Sequence, residues 1–161
     1  MRDAKKMEEK FMKCAIAEAK KAYEKLEVPI GAVIVKDGKI VARAHNLRET
    51  KKQACAHAEI LAIEKACKKL DAWRLENCEM YITLEPCPMC AGAIINSRIK
   101  KIYIGAMDAK GGAVGSKINL LKDIKLNHEV EVEYNVCSDE CAELLKKFFR
   151  ELRQFDKYRK S

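Results

Sequence analysis

The segment EMYITLEPCPMC, from Glu79 to Cys90, decides how this chain folds. Its first six residues include Tyr, Ile and Thr, which favour extended backbone, so we predict a strand from Glu79 to Leu84. Pro88 follows where proline favours the first turn of a helix. A strand that leads directly into a helix is the repeating unit of α/β folds, and ligands bind where such strands end.

The rest of the chain supplies more units of both kinds. Apolar residues at helical spacing predict an amphipathic helix over residues 8–26. The β-rich runs 30–35 and 39–44 flank Asp37-Gly38, a strong hairpin signal. Further along we predict a helix over 58–70, a strand over 101–105, a glycine-rich loop over 108–116, a strand over 128–136 and a helix from Asp139 to about Phe155 capped by Ser138. This order predicts a three-layer α/β/α sandwich around a central, mixed five-stranded sheet.

Length and composition indicate a single domain over residues 1–161. The longest apolar runs, such as Ile30 to Val35, are far shorter than the ~20 residues of a membrane span. The N-terminus lacks the pattern of a secretory signal, so we interpret the eight cysteines as thiols in a reducing compartment. These features predict a cytoplasmic protein without a membrane partner.

Two short motifs carry the chemistry, His57-Ala58-Glu59 and Pro86-Cys87-Pro88-Met89-Cys90. One imidazole and two thiolates give a zinc ion three protein ligands and leave a fourth position for water, as in catalytic sites. Residues two apart in a helix point ~200° away from each other, so His57 and Glu59 must lie at a helix start to face one metal. Cys87 and Cys90 are three apart, which places both thiolates on one side of a helical turn.

Glu59 is then the residue that can move protons. Zinc lowers the pKa of a bound water from ~16 to ~7, and a carboxylate beside it can accept and return the proton. Each motif alone is weak, because C-x-x-C also occurs in redox pairs and structural zinc sites. Together they form the H-x-E and P-C-x-x-C pattern of zinc-dependent nucleobase deaminases. Nothing in the spacing of Cys55, or of Cys137 and Cys141, requires them to join this site.

Charge is concentrated at the C-terminal end. The chain carries a formal net charge of +8, and residues 146–161 hold seven Lys or Arg against two acids. A basic run beside Phe148, Phe149, Phe155 and Tyr158 is typical of a nucleic-acid surface. By itself the same pattern also fits a solvated amphipathic helix, about 139–161, whose aromatic residues face the core.

Several further motifs occur together in one order along the chain. They are EVPIGA at 27–32, AHN at 44–46, HAE at 57–59, TLEPCPMCAG at 83–92, SRI at 97–99 and GAMDAKGG at 105–112. From about Phe11 to Arg153 the chain therefore closely resembles the bacterial tRNA-specific adenosine deaminases of the cytidine deaminase-like superfamily. The resemblance implies that superfamily's fold, and a homodimer with one zinc ion per subunit. It also implies hydrolytic conversion of the wobble adenosine in an arginine tRNA anticodon loop to inosine.

The resemblance also assigns roles to particular residues. It implies zinc ligation by His57, Cys87 and Cys90 and proton transfer by Glu59. It further implies a purine-binding role for Asn46, a pocket lined by Ile30 and Leu84, and tRNA contacts by Asp108, Lys110, Phe149 and Arg150. The chain departs from the family at Ala54-Cys55, where Pro-Thr is usual.

Two other functions remain open at this stage. A free-base deaminase for guanine or cytosine would share both metal motifs but would have no use for the basic C-terminal segment. A zinc-stabilised RNA-binding protein without catalysis would use that segment but would leave Glu59 without a role.

Overall fold

The computed structural model describes residues 1–160, in which helices pack on both faces of one sheet. The helices are α1 (Arg2–Glu24), α2 (Arg48–Lys51), α3 (Ala58–Leu70), α4 (Pro88–Asn96) and α5 (Ser138–Arg159). The strands are β1 (Gly31–Lys36), β2 (Lys39–His45), β3 (Cys78–Leu84), β4 (Lys101–Ala106) and β5 (Glu131–Glu133).

The sheet has five strands in the order β2-β1-β3-β4-β5. Strand β1 is antiparallel to both neighbours, while β3, β4 and β5 run parallel to one another. Helix α4 connects β3 to β4, as a parallel pair requires. The predicted three-layer architecture with a mixed five-stranded sheet is confirmed.

Alternating side chains of each strand enter two separate cores. Ile34 of β1 packs on the face covered by α3 and α4, whereas Val33 packs on the face covered by α1 and α5. Gly31 allows α1 to approach β1 closely, because a Cβ there would lie 2.0 Å from the carbonyl oxygen of Ala15. Both faces of the sheet are therefore closed, and a ligand must bind at its edge or ends.

The predicted elements need correction at several ends. The strand predicted over 128–136 is only Glu131–Glu133, because it pairs with β4 alone at the edge of the sheet. Helix α5 extends beyond Phe155 to Arg159, and its N-cap is Cys137, with no side-chain cap hydrogen bond from Ser138. Helix α1 begins at Arg2, six residues before the predicted start, and ends at Glu24, two residues before the predicted end. The short helix α2 was not predicted.

Four strand ends meet at one end of the sheet, which we call the site edge. Strands β3 and β4 end there at Leu84 and Ala106, and the antiparallel strand β1 begins there at Gly31. Strand β2 ends at the same edge with His45, which pairs with Gly31. The predicted site residues that directly flank these strand ends must therefore share one region. No helix within residues 1–160 is long and apolar enough to cross a membrane.

Candidate active site

The predicted metal ligands lie where two helices begin. His57 is the N-cap of α3 with extended backbone (φ −80°, ψ 152°), and Cys87 is the N-cap of α4 (φ −74°, ψ 172°) with Pro88 after it. Cys90 lies in the first turn of α4 and is fully buried. The helix-start geometry predicted for both motifs is confirmed, and two positive helix ends favour thiolate at this point.

The three ligand atoms have the spacing that a tetrahedral ion requires. Nδ1 of His57 lies 3.6 Å from the sulfur of Cys87 and 3.6 Å from the sulfur of Cys90. All three atoms lie within 4.8 Å of one another. Zinc bonds of ~2.0–2.1 Å to nitrogen and ~2.3 Å to sulfur at tetrahedral angles separate N from S by ~3.6 Å. The group therefore fits a metal ion, and Cys55 and the Cys137/Cys141 pair lie outside it.

The electrostatics of the cluster favour a bound cation. The hydrogen bond from the Cys90 thiol lowers the pKa of Cys87 to about 4. The same contact, together with burial, raises the pKa of Cys90 well above its usual range. Contact with Cys87 also raises the pKa of His57. An ion at this point would stabilise both sulfurs as thiolate ligands.

Glu59 lies beside the ligands without being one of them. Its side chain is in the first turn of α3, is 4% exposed and contacts the Cys90 thiol. Burial raises the pKa of Glu59 to about 7 in the absence of an ion. We call His57, Glu59, Cys87 and Cys90 the pocket floor.

A cavity of about 880 Å³ opens above the pocket floor. Of the predicted residues, it is lined by His57, Ile30, Asn46, Leu84, Asp108, Lys110 and Phe149. Arg150 is exposed on α5 but does not line the cavity, and it lies near Tyr23 instead. The structure thus gathers six of the seven predicted substrate contacts around one opening.

Three basic residues that line the cavity were not predicted from the sequence. They are Arg48 on α2 and Lys146 and Arg153 on α5. Lys146, Phe149 and Arg153 are spaced by three and four residues, so a helical-wheel reading of α5 could have found the two on that helix. No local signal marks Arg48. We call Asn46, Arg48, Asp108, Lys110, Lys146, Phe149 and Arg153 the pocket rim.

The amide side chain of Asn46 is oriented by backbone groups. Its Nδ2 donates to the carbonyl of Val28 at 3.3 Å, and its Oδ1 accepts from the amide of Arg48 at 3.2 Å. A carboxamide has two N–H groups and two oxygen lone pairs, so these bonds use half of its capacity. Asn46 is 6% exposed and lines the cavity, where the other half can pair with a ligand.

A buried carboxylate on the preceding segment holds this wall of the cavity. Glu27 is fully buried and accepts the amides of Glu49 at 2.9 Å and Thr50 at 2.8 Å. These bonds lower the pKa of Glu27 against the opposing effect of burial. Because Glu49 and Thr50 belong to α2, Glu27 fixes the helix that begins two residues after Asn46.

The departure from the family motif before His57 does not leave the turn without support. The amide of His57 donates to the carbonyl of Cys55 at 2.8 Å, and the amide of Ala56 donates to that of Gln53 at 3.1 Å. Backbone hydrogen bonds therefore close the turn without the usual proline and threonine. The Cys55 side chain itself is exposed.

Comparison with known families first defines the class of protein. The model of the MafB19-like deaminase family matches residues 6–153, which is nearly the whole chain. The chain thus belongs to a deaminase family.

Individual relatives narrow the class. The chain is 57% identical over 147 residues to the tRNA-specific adenosine deaminase of Bacillus subtilis, covering 91% of each. A solved tRNA:A34 deaminase, which edits A to I at the wobble position of transfer RNA, matches with a TM-score of 0.81 and 44% identity, covering 83% of this chain and 97% of that one. The guanine deaminase of Bacillus subtilis matches with a TM-score of 0.60 and 35% identity, covering 74% and 86%.

The chain belongs to the family of tRNA-specific adenosine deaminases. The resemblance noted from the sequence motifs is confirmed.

Proposed function

We propose that this protein hydrolyses the wobble adenosine of a tRNA anticodon loop to inosine and ammonia. The observation that carries the proposal is a buried carboxylate, Glu59, beside a His-Cys-Cys group whose His57 lines a cavity. Four Lys or Arg side chains line the same cavity. The identity to tRNA-specific adenosine deaminases over most of the chain supports the same reaction. An arginine tRNA is the substrate that the family resemblance implies.

We further propose that His57, Cys87 and Cys90 hold one zinc ion per subunit. When bound, zinc acidifies a water molecule and stabilises negative charge on oxygen. The two 3.6 Å nitrogen-to-sulfur separations support this assignment, as does a set of one imidazole and two thiols, which suits zinc.

Glu59 is the proposed acid and base of the reaction. Its carboxylate takes a proton from the attacking water and delivers it to N1 of the adenine ring, while the oxygen adds to C6. The Glu59 carboxylate then takes the remaining proton from the oxygen now bound to C6 and passes it to the amino group. The C6–N bond breaks, and ammonia leaves. The protons balance, because adenosine and water yield inosine and ammonia. Burial at 4% exposure keeps the carboxylate away from bulk solvent, so its protons move to the substrate.

Asn46, Ile30 and Leu84 are proposed to hold the base. Two apolar side chains and one half-used carboxamide form a site that can stack a purine and pair with its edge. The hydrogen-bonding groups left on Asn46 are one donor and one acceptor, which complement the donor and acceptor pattern of adenine.

The pocket rim supports an RNA substrate over a free base. Arg48, Lys110, Lys146 and Arg153 place positive charge on the wall formed by α2, on the 108–116 loop and on α5. A free base carries no phosphate for these residues, whereas a loop nucleotide is flanked by several. Phe149 is 40% exposed in the same opening, where it can stack on a neighbouring base. Extruding a loop base costs little because the loop is largely unpaired.

The two alternatives fit this arrangement less well. A free-base deaminase is represented by the guanine deaminase match, which is weaker in both identity and TM-score than the tRNA deaminase match. A binding protein without catalysis would not need an ionisable carboxylate buried beside the metal ligands, since burial of such a group costs stability.

We also propose that the protein is a homodimer in the cytoplasm. The dimer rests on the resemblance to its family, and a cytoplasmic location suits both a tRNA substrate and eight free cysteines. Light scattering at micromolar concentration should give twice the chain mass of 18.3 kDa. A species of that single-chain mass would contradict the dimer.

The substrate is tested by measuring ammonia release. The zinc-loaded protein is incubated with an anticodon stem-loop that carries adenosine at the wobble position, with the same stem-loop carrying guanosine there, and with free adenine, guanine and cytosine. Turnover is expected with the adenosine stem-loop alone. Comparable turnover of free guanine would indicate a free-base deaminase instead. If the protein bound the stem-loop but released ammonia from no substrate, it would be an RNA-binding protein without catalysis.

A further inference from the structure

A second buried carboxylate lies at the same edge of the sheet, and the proposed reaction does not use it. Glu85 directly follows β3, two residues before Cys87, and is 2% exposed. Its Oε1 accepts the amide of Asp108 at 2.9 Å, and its Oε2 accepts the amides of Val114 and Ser116, both at 3.0 Å. The hydroxyl of Ser116 also donates to Oε1. Both carboxylate oxygens are thus engaged as acceptors.

All of these donors come from one segment, residues 108–116, which we call the rim loop. The rim loop also packs tightly around the carboxylate at Gly112, where an added Cβ would lie 2.2 to 2.3 Å from the three carboxylate atoms of Glu85. The φ of Gly112 is not in the left-handed region, so glycine is required there for space and not for backbone conformation. The rim loop therefore contacts the Glu85 carboxylate closely through both packing and hydrogen bonds.

The hydrogen bonds of Glu85 also bear on two of the four predicted tRNA contacts, Asp108 and Lys110. Once its own amide is held by Glu85, Asp108 accepts the amides of Lys110 and Gly111 at its Oδ1, each at 3.1 Å. The amide of Ala113 donates to the carbonyl of Pro86 at 2.8 Å, which ties the loop to the same connection. The backbone positions of Asp108 and Lys110 thus depend on a carboxylate that adjoins the metal ligands in sequence.

A general contribution to folding would not require this pattern. A buried carboxylate that merely stabilised the core could accept from any nearby strand or helix. Among residues 1–160, the side-chain hydrogen bonds that Glu85 accepts come only from the rim loop. This loop lies outside the named helices and strands, and its regular structure is limited to the isolated bridge of Val114 to Asn119. A loop without regular structure relies on such bonds to hold one conformation.

We propose that Glu85 is a positioning residue for substrate: it holds the rim loop so that Asp108 and Lys110 face the bound anticodon loop. The proposal rests on the proposed RNA substrate. It assigns to Glu85 an effect on RNA affinity and orientation that is separable from the chemistry at the pocket floor.

The first test uses Glu85→Gln in the zinc-loaded protein. An amide of the same size replaces one acceptor oxygen by an NH2 group, which must face backbone N–H donors. A small displacement of contacting groups can cost up to ~10²-fold in kcat/KM, so we expect a loss of ~10- to 100-fold carried by KM, with kcat at saturating stem-loop changed less than ~3-fold. The slope of log affinity against log salt should also fall by ~0.7 if the Lys110 phosphate contact is lost. A KM within twofold of wild type would overturn the proposal.

Hydrogen exchange of single amides tests the positioning without RNA. In Glu85→Gln, the amides that face the new NH2 group lose their acceptor, either that of Asp108 or those of Val114 and Ser116. Those amides should exchange at least ~10-fold faster, while amides of β4 keep their rates. Unchanged exchange at these three amides would overturn the role of Glu85 even if RNA kinetics changed. A wild-type protein inert on the stem-loop would instead contradict the proposed function, while this exchange result would still stand.

A double-mutant cycle covers the case in which Glu85→Gln folds poorly. The methyl group of Gly112→Ala must displace the Glu85 carboxylate, so alone it should raise KM by ~5-fold or more, whereas in a Glu85→Ala background it should add less than twofold. Equal effects in both backgrounds would show that the two residues act independently and would overturn the proposal. Ile104→Val, a core change in β4 away from the pocket, is the control for lost stability and should leave KM unchanged.

Discussion

At the pocket floor, four side chains converge from the first turns of α3 and α4, whereas the pocket rim is assembled from α2, the rim loop and the middle of α5. Floor residues are held by local helix geometry that a short motif encodes. The parts of the rim on α2 and on the rim loop are held by buried carboxylates that are distant in sequence, Glu27 for α2 and Glu85 for the rim loop. The chemistry and the substrate recognition of this protein thus depend on different kinds of interaction.

The comparison also predicts two different responses to substitution. Loss of a floor residue should abolish the reaction regardless of substrate, since the same few atoms serve each turnover. Loss of one cationic rim residue should reduce the affinity for RNA only in part, since several cations share the contact with phosphate.

The largest effect is expected from Cys87→Ala. Removing one of three ligands should eliminate bound zinc and with it all measurable deamination. Metal analysis by mass spectrometry gives the zinc content directly. Cys55→Ala is the matched control, because this exposed cysteine lies close to His57 in sequence but outside the ligand group, and it should retain one zinc per chain. Full zinc retention in Cys87→Ala would contradict the assigned ligand set.

Glu59→Gln should separate metal binding from proton transfer. We expect zinc content and stem-loop affinity to stay near wild type, while kcat falls by at least ~10²-fold, the low end of general acid-base contributions. Single-turnover ammonia release at saturating stem-loop measures this loss. A variant that deaminates within ~10-fold of wild type would show that another group moves the protons.

Asn46→Ala tests whether this rim residue pairs with the base. Loss of its pairing with the base should reduce kcat/KM by ~10- to 200-fold, as expected when a buried hydrogen bond to substrate disappears. Zinc content should be unchanged. Asn127→Ala, at an exposed position in the segment before β5, is the control and should have wild-type kinetics. An effect of Asn46→Ala smaller than ~2-fold would remove Asn46 from base recognition.

The smallest single effects are expected from rim cations. Lys146→Ala should raise the dissociation constant for the stem-loop severalfold and reduce the salt slope by ~0.7, the value for one phosphate contact on a single strand. Fluorescence anisotropy over a range of salt concentrations measures both quantities. Lys69→Ala removes the same charge from the last turn of α3, at the end of that helix away from the pocket floor. It should change neither the dissociation constant nor the salt slope. Equal salt slopes for the two variants would mean that Lys146 touches no phosphate.

The sequence predicted the floor more completely than the rim. His57 and Cys87 were placed at helix starts from Pro88 and from the spacing of the motifs, and the structure has them there. The rim residues named in advance came from family resemblance, and Arg48, Lys146 and Arg153 were missed. Strand β5 was predicted at three times its observed length, because alternation in residues 128–136 cannot reveal that an edge strand has only one partner to pair with.

Local sequence alone determined which side chains can hold a metal and where the four longer helices and most strands lie, because these features depend on backbone preferences and on spacings within one helical turn. Only the tertiary structure decided which cations surround the opening and which buried carboxylates hold it. Residues such as Glu27 and Thr50, or Glu85 and Ser116, are more than twenty positions apart and are brought together by strands that end at a common edge. A contact of that kind has no signature in either of its segments, since its energy exists only once the sheet has formed.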